Sequence, residues 1–130
     1  YFLTYYFVIF FVSINYSIAT FSDYNFAPEG FDCLAFIFCH LPSAMRRQEY
    51  RRLFTALRPG GLLVLQGFSK AQLGKKSGGP KDADFLFSIE ELVEDFKDAK
   101  DLEIVEEEQL LDEGPFHHGP ASLISLTARR

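Results

Sequence analysis

Three histidines and two cysteines are the side chains of this sequence best suited to chemistry at neutral pH. Imidazole changes protonation near pH 7, and a cysteine thiolate is a strong nucleophile. His40 follows directly on a strongly apolar run, whereas His117 and His118 stand side by side near the C-terminal end. His40 could orient a bound molecule or accept its proton; alternatively, it is a turn residue that hydrogen-bonds backbone carbonyls. His117 is the second candidate for a site, and we expect His118 to be exposed to solvent.

The spacing of the cysteines and histidines does not favour a metal site. Cys33 and Cys39 lie six residues apart on one apolar run. The sequence contains no Cys-X-X-Cys pair, and a site built from His40 and His117 lacks a third ligand. We therefore predict neither a bound metal nor a disulfide framework. Since free cysteines usually behave as small hydrophobic residues, we expect two buried thiols in a reducing compartment, the cytoplasm.

Two apolar runs joined by a helical segment must position His40. Residues 31–39 (FDCLAFIFC) are typical of a strand buried on both faces of a parallel sheet. A helix should begin at Pro42 and Ser43, with Ser43 as its N-cap, and extend to about residue 57. The apolar stripe of this helix comprises Tyr50, Leu53, Phe54 and Leu57, and its arginines 46, 47, 51 and 52 should lie mostly in solvent.

A second strand follows this helix. Residues 58–61 (RPGG) should stop the helix, and residues 62–68 (LLVLQGF) form another buried strand. A strand, helix and strand in this order predict a right-handed crossover between parallel neighbours. Upstream of residue 31, the pattern predicts one more short strand over residues 12–18.

The C-terminal half predicts a loop, a helix and a hairpin. Residues 69–84 form a polar loop, and Ser88 to Glu91 is a capping box that opens a helix. The buried face of this helix should consist of Ile89, Leu92 and Phe96. Residues 102–111 suit a strand near a sheet edge, with the charge run 106–108 in solvent. They should pair antiparallel with residues 121–128.

Charge and the first residues limit the classes of partner. The net charge of −5 argues against nucleic acid, because phosphate binding needs clustered Lys and Arg. Tyr1–Val12 is almost wholly aromatic and aliphatic, and no Lys or Arg precedes Arg46. This run is shorter than the roughly 20 residues that span a bilayer, so an N-terminal membrane anchor is the weaker alternative. We expect residues 1–11 to be foreign to the native domain, and residues 12–130 to be one part of a domain.

Several short segments together carry a family resemblance. They are residues 37–42 (IFCHLP), 57–62 (LRPGGL) and 78–81 (GGPK), the opening pair Phe31-Asp32, and the hairpin residues Glu113, Gly114, His117, Gly119 and Ala121. In these segments the sequence resembles class I, Rossmann-like S-adenosylmethionine-dependent methyltransferases. It is most similar to the small enzymes grouped with tellurite-resistance-type methyltransferases. The resemblance implies an α/β fold: a methyltransferase sheet truncated at its N-terminus and ending in an antiparallel β-hairpin.

The sequence also departs from the family pattern. The family begins with a strand, an Asp-X-Gly-X-Gly turn and a helix, and the glycines of that turn let the backbone approach the cofactor. No such segment is present in this sequence, and its first predicted strand resembles the third strand of the family. After that strand the family has Asp-Leu, which contacts the adenine edge, and here Thr20 and Phe21 stand in that place.

The resemblance implies roles for individual residues. Thr20 and Phe21 would lie at the adenine, and Phe38, Cys39 and His40 would lie at the methionine side of S-adenosylmethionine. His40 and His117 are the candidates for orienting a small methyl acceptor or taking its proton. The glycine loop at residues 78–81 would be a mobile cover over the acceptor or a plain surface loop.

Two functions follow as hypotheses. In the first, the chain is the C-terminal part of a methyltransferase for a small-molecule acceptor and is inactive alone, because the glycine turn is missing. In the second, the chain is a non-catalytic, methyltransferase-like module that binds a protein partner across the open sheet. An exposed flat sheet edge is otherwise an aggregation hazard.

Overall fold

The computed structural model describes residues 13–130. The predicted foreign segment at residues 1–11 and the membrane-anchor alternative therefore lie mostly or wholly outside the described residues. The helices and strands, in chain order, are β1 (Phe31–Ile37), α1 (Ser43–Phe54), β2 (Leu57–Phe68), α2 (Ile89–Asp95), β3 (Lys100–Asp112) and β4 (His118–Arg129). Two 3-10 turns, Lys70–Gln72 and Ala83–Phe85, lie in the connection from β2 to α2.

The four strands form one mixed sheet in the order β1-β2-β4-β3. β1 and β2 pair in parallel, with Cys33 opposite Leu62 and Ile37 opposite Gln66. β4 lies antiparallel between β2 and β3. The α/β class, the parallel crossover through α1 and the C-terminal antiparallel hairpin are thus confirmed, and β3 is the edge strand that the sequence predicts.

The core lies between one face of the sheet and the two helices. Leu63 and Leu65 of β2 and Leu126 of β4 are fully or almost fully buried there. Along residues 62–66 of β2 and 124–129 of β4 these side chains alternate with half-buried or exposed ones, as expected when one face is covered. The buried cluster comprises Phe36, Tyr50, Leu53, Leu57, Leu63, Leu65, Phe87, Leu92, Phe96, Ile124, Leu126 and Ala128. A second buried cluster covers part of the opposite face near the end of β2 and comprises Phe68, Leu86, Leu111, Ala121 and Leu123.

Burial of β1 on both faces was a wrong prediction. Phe36 is its one buried residue, whereas Ile37 is 53% exposed and Cys33 is exposed. Cys39 is only partly buried, so the expected pair of buried thiols is also wrong. Within residues 13–130, β1 has β2 as its single neighbour and one covered face. A continuous apolar run therefore permits burial on both faces of a strand, but the elements packed against the strand determine which faces are buried.

No strand forms in residues 13–18, and Val12 of the predicted strand lies outside the described range. Ile14, Tyr16 and Ile18 are all exposed. Alternation of apolar and polar residues needs a hydrogen-bonding neighbour before it becomes a strand, and residues 13–130 supply none here.

The boundaries of α1 differ from the prediction at both ends. Pro42 occupies the N-cap position, and Ser43 is the first helical residue. The Ser43 hydroxyl donates instead to Asp84 Oδ1 at 2.5 Å, and the Ser43 backbone N–H donates to Asp84 Oδ2 at 3.3 Å. The helix ends at Phe54, and the Arg-Pro-Gly-Gly segment belongs to the irregular start of β2, where Gly60 has φ 78°.

Two further side chains lie where the pattern did not place them. Arg46 is completely buried between the helices, contrary to the expected solvated arginines. Ile89 is 38% exposed, although Leu92 and Phe96 are buried as predicted. The Ser88 hydroxyl accepts from the Glu91 backbone N–H at 3.4 Å, which confirms the N-cap of α2. A capping box would also have the Glu91 carboxylate accept from the Ser88 backbone N–H. Here that carboxylate instead pairs with Lys70 and with the buried Arg46.

Candidate functional site

An aromatic and histidine cluster lies where the parallel strands end. Phe38 and His40 follow β1, and Phe68 is the last residue of β2. The Phe68 ring centroid is 5.0 Å from that of Phe38, 5.7 Å from that of His40 and 5.4 Å from that of His117. The structure thus brings both predicted catalytic histidines to the same ring, at the edge where open α/β sheets bind ligands.

Both ring nitrogens of His40 are hydrogen-bonded to backbone. Nδ1 lies 2.8 Å from the carbonyl oxygen of Phe85, and Nε2 accepts from the backbone N–H of Phe68 at 3.1 Å. This pattern requires the neutral imidazole with its proton on Nδ1. Burial lowers the pKa of His40 below its ordinary value. The hydrogen bond to the Phe85 carbonyl acts in the opposite direction but is the smaller effect. The ring therefore ties the end of β2 to the turn before α2.

A glycine in β2 makes room for this histidine. A Cβ atom at Gly67 would lie 2.5 Å from the Phe87 ring and 3.0 Å from Cε1 of His40. The His40 and Phe87 rings stack with centroids 4.7 Å apart. Any side chain at position 67 would force these two rings away from the strand.

His117 occupies a different environment. Its ring packs against Phe38, with centroids 4.6 Å apart, and its side chain is 29% exposed. Nδ1 lies 3.5 Å from Oε2 of Glu113, whereas Nε2 makes no hydrogen bond within residues 13–130. His118 points away into solvent beside Asp112, as expected. Of the two candidate histidines, His117 is the one with a ring nitrogen available to a ligand.

The glycine loop docks on the hairpin that carries His117. A Cβ atom at Gly78 would lie 2.3 Å from the backbone oxygen of Phe116 and 3.0 Å from Cδ2 of His117. Gly78 and Gly79 have φ 109° and 85°, and a Cβ at Gly79 would meet the Phe68 ring at 2.8 Å. Both glycines are needed, because the backbone approaches closely and adopts left-handed conformations.

A buried glutamine fastens this loop. Gln72 donates to the Ser77 hydroxyl at 2.9 Å and to the Gly78 carbonyl at 3.0 Å, and it accepts from the Ser122 backbone N–H at 2.8 Å. Ser77 in turn donates to the Pro120 carbonyl at 2.6 Å. The described conformation is therefore a loop bonded to β4, which fits a fixed wall better than a mobile cover.

Phe38 and Cys39 lie at the carboxyl end of β1, as predicted. Phe38 adopts φ 49°, and its backbone N–H donates to Gln66 at 2.7 Å. The Cys39 carbonyl accepts from the Tyr50 hydroxyl at 2.6 Å. Burial raises the pKa of the Cys39 thiol, so the thiol is protonated at neutral pH and is a poor nucleophile.

Thr20 and Phe21 lie apart from this cluster. The Thr20 hydroxyl donates to Asp23 at 2.6 Å, and the Phe21 carbonyl accepts from Arg52 in the last turn of α1. Both residues line a cavity of about 330 Å³ with other residues of the segment 17–26 and with Phe31 and Leu34 of β1. That position is toward the amino edge of the parallel strands. The five predicted cofactor residues therefore form two groups near opposite ends of β1.

Sequence reasoning missed three parts of the cluster. Phe68 and Phe87 read simply as apolar residues of a strand and of the approach to a helix. Nothing in the sequence marked Gln72 as a structural residue, because it stands in a polar loop. Its hydrogen bonds form only when that loop folds onto β4. A glycine inside an apolar strand, as at Gly67, was the one available hint of a close approach.

Neither a metal cluster nor a membrane-spanning helix occurs among the described residues. No group of three or more His, Cys, Asp or Glu in residues 13–130 is arranged to hold a metal ion. No helix in the same range is long and apolar enough to cross a bilayer.

Comparison with solved structures shows a fold similar to that of several methyltransferases. No family model and no curated protein matches the sequence. Among solved structures, an S-adenosylmethionine-dependent methyltransferase from Methanosarcina mazei has a TM-score of 0.59 at 18% identity, over 86% of this chain and 65% of its own. TehB from Haemophilus influenzae has a TM-score of 0.60 at 18% identity, over 80% of this chain and 37% of its own.

A third structure adds bound ligands. Phosphoethanolamine N-methyltransferase 2 from Haemonchus contortus was solved with phosphomonomethylethanolamine and S-adenosylhomocysteine. It has a TM-score of 0.58 at 14% identity, over 85% of this chain and 36% of its own. The chain thus spans from about a third to just under two thirds of these relatives. Its fold is part of the Rossmann-like methyltransferase fold, which confirms the resemblance at the level of the fold.

Proposed function

We propose that this chain is the C-terminal part of a cytoplasmic, S-adenosylmethionine-dependent methyltransferase for a small-molecule acceptor, and that it is inactive alone. The observation that carries the proposal is the meeting of Phe38, Phe68 and His117 at the carboxyl edge of the parallel strands. Ligands bind at this edge in open α/β sheets, and the structural relatives of this sheet are methyltransferases.

The two histidines receive different roles. His117 has one ring nitrogen without a hydrogen bond in residues 13–130 and is partly exposed, so we assign it to the acceptor. His40 uses both nitrogens for backbone groups, so we assign it the positioning of Phe68 and the turn before α2. A direct catalytic role for His40 would require breaking its bond to the Phe68 backbone.

The described residues do not complete a cofactor cradle. Phe38 and Cys39 suit one side of S-adenosylmethionine, but Thr20 and Phe21 lie near the other end of β1. When bound, this cofactor supplies a methyl group that its sulfonium has already activated, so the protein mainly positions the reactants. We therefore assign Phe38 and Cys39 to the methionine side of the cofactor and His117 to the acceptor.

Binding of S-adenosylhomocysteine tests this proposal. Titration calorimetry of this chain should show no binding at micromolar concentrations. The same chain, extended by the upstream segment read from the 5′ end of the native transcript, should bind. The proposal is wrong if this chain alone binds tightly, or if an upstream in-frame strand, glycine turn and helix restore no binding.

A partner-binding module is the second candidate function. The observation that favours it is the uncovered sheet face, on which Cys33 and Ile37 of β1 are exposed. A transcript that starts beside Tyr1, together with a purified complex in which a partner protects Cys33 from thiol reagents, would favour the module. A monodisperse chain with a reactive Cys33 would count against it.

A further inference from the structure

The turn between β3 and β4 places a carboxylate beside the His117 imidazole. Oε2 of Glu113 lies 3.5 Å from Nδ1 of His117. The Glu113 backbone N–H donates to the His117 carbonyl at 2.9 Å, and the His117 N–H donates to the Gly114 carbonyl at 3.2 Å. Gly114 has φ 101°, a conformation that glycine adopts without strain. The backbone bonds place residues 113 and 117 opposite one another, and the half-exposed Glu113 side chain lies within ion-pair distance of the imidazole.

The groups that pack against the His117 ring are aromatic rings and the backbone of the docked loop. Phe38 and Phe68 cover the ring, and Gly78 of the docked loop lies beside Cδ2. Beyond the aromatic rings, the titratable group that faces His117 from another element is His40, which is neutral in its hydrogen-bonded form. Glu113 is therefore the anionic side chain in position to orient this imidazole.

We propose that Glu113 is a positioning residue that holds His117 with its proton on Nδ1, so that Nε2 takes a proton from an O–H or S–H acceptor. This inference rests on the proposed function. In the proton transfer, the bond from hydrogen to the acceptor O or S breaks, a bond from hydrogen to Nε2 forms, and the electron pair stays on the acceptor atom. The resulting imidazolium lies beside the Glu113 carboxylate, which stabilises it. Because the Phe38 ring, which is only partly buried, packs against the His117 ring, we infer an acceptor with an apolar or aromatic body.

The tautomer of His117 tests the positioning role without any methyl transfer. Long-range ¹H–¹⁵N spectra of the full chain should show His117 protonated on Nδ1 at a pH where the ring is neutral. Glu113→Gln should keep this pattern, because its amide oxygen still accepts, and Glu113→Ala should lose it. Asp112→Ala removes the neighbouring carboxylate at His118 and is the matched control, which should leave His117 unchanged. An unchanged tautomer in Glu113→Ala would overturn the proposal.

A pair of small probes tests the acceptor class. Phenol and anisole share an aromatic ring, but only phenol has an O–H group. Phenol should shift the His117 Nε2 signal, and anisole at the same concentration should shift it much less. Equal shifts, or no shift with phenol near its solubility limit, would refute a protic acceptor. Both experiments are independent of cofactor binding, so a failure of the proposed function in calorimetry is distinguished from a failure here.

Discussion

His40 shows how one side chain can organise the end of a strand. Its two nitrogens bind backbone groups of Phe85 and Phe68, and its ring stacks on Phe87. The absence of a side chain at Gly67 makes this arrangement possible. The sequence identified His40 as a candidate residue, and the structure shows that it links the end of β2 to the turn before α2.

Gly67→Ala should destabilise the fold by about 1–3 kcal/mol, because the added methyl group overlaps the Phe87 and His40 rings. Urea unfolding followed by fluorescence or circular dichroism measures this loss. Gly74→Ala is a useful control, since its Cβ meets no atom within 4 Å and its cost reflects the φ of 88° alone. A loss at Gly67 no larger than at Gly74 would contradict the steric argument.

Protonation of His40 should weaken the fold in mild acid. Burial lowers the pKa of His40 from its ordinary 6.5, so the unfolded chain binds the proton first as the pH falls. The contribution to the unfolding free energy is therefore complete above about pH 6.5 and is lost as the pH falls through the lowered folded pKa. The difference in unfolding free energy between the native chain and His40→Asn should shrink from neutral pH towards about pH 5.

His118→Asn is the matched control for this profile, because the His118 ring is 70% exposed. Its difference from the native chain should stay nearly constant over the same pH range. A His40 difference that stays equally constant would show that neutral His40 is not required.

Helices α1 and α2 are joined by buried charge. Arg46 is completely buried, with Nε 3.0 Å from Asp95 and Nη2 3.2 Å from Glu91. Asp95 is also buried, and among residues 13–130 its Oδ1 atom and the arginine Nη1 atom have no hydrogen-bond partner. The arginine also lies over the Phe87 ring at 5.4 Å. This network fixes α2 against α1, and the helices in turn cover the sheet beneath the cluster.

Arg46→Met should cost about 3–5 kcal/mol, because it leaves the Asp95 carboxylate buried without its nearest cation. Arg47→Met is the matched control: it removes a longer contact of 3.6 Å to the same carboxylate from a side chain that is 54% exposed, and should cost at most about 1 kcal/mol. Denaturant unfolding of both variants gives the comparison. Adding Asp95→Leu to Arg46→Met should recover much of the loss, and equal losses in the two single variants would contradict the buried network.

The molecule as a whole covers one face of its sheet and leaves the other partly open. On the open face, Cys33 and Ile37 of β1 are exposed, whereas Phe36 on the other face is buried. β1 is also an edge strand within residues 13–130. An apolar edge of this kind favours pairing with another polypeptide segment.

Thiol labelling should report this open face. Cys33 should react rapidly with a maleimide, and Cys39 should react slowly, because burial both shields the Cys39 thiol and raises its pKa. Mass spectrometry of the labelled chain, with Cys33→Ser and Cys39→Ser as paired controls, measures the two rates. If a further segment or a partner completes the sheet, Cys33 labelling should slow. Equal rates for the two thiols in the isolated chain would contradict the uncovered face.

How far the sequence predicts the site depends on the distance of the contacts along the chain. His40 and His117 were found from residue type and position, and Phe38 and Cys39 lie at the predicted strand end. Thr20 and Phe21 do not lie beside Phe38 and Cys39 in the structure. Their predicted position depended on a preceding strand, and no strand forms in residues 13–18. Gln72 was not predicted, since its partners Ser77 and Ser122 come together only through the fold.

The sequence by itself determined the α/β class, the order of the elements from residue 31 onward and the C-terminal hairpin. Apolar periodicity and turn residues are local properties that the chain carries before it folds. Only the tertiary structure decided which nitrogen of each histidine is available, which arginine is buried and which sheet face is covered. These properties depend on groups far apart in the chain, as when the Asp84 carboxylate binds the first residue of α1 across 41 positions. Local pattern can specify an element, whereas packing assigns its partners.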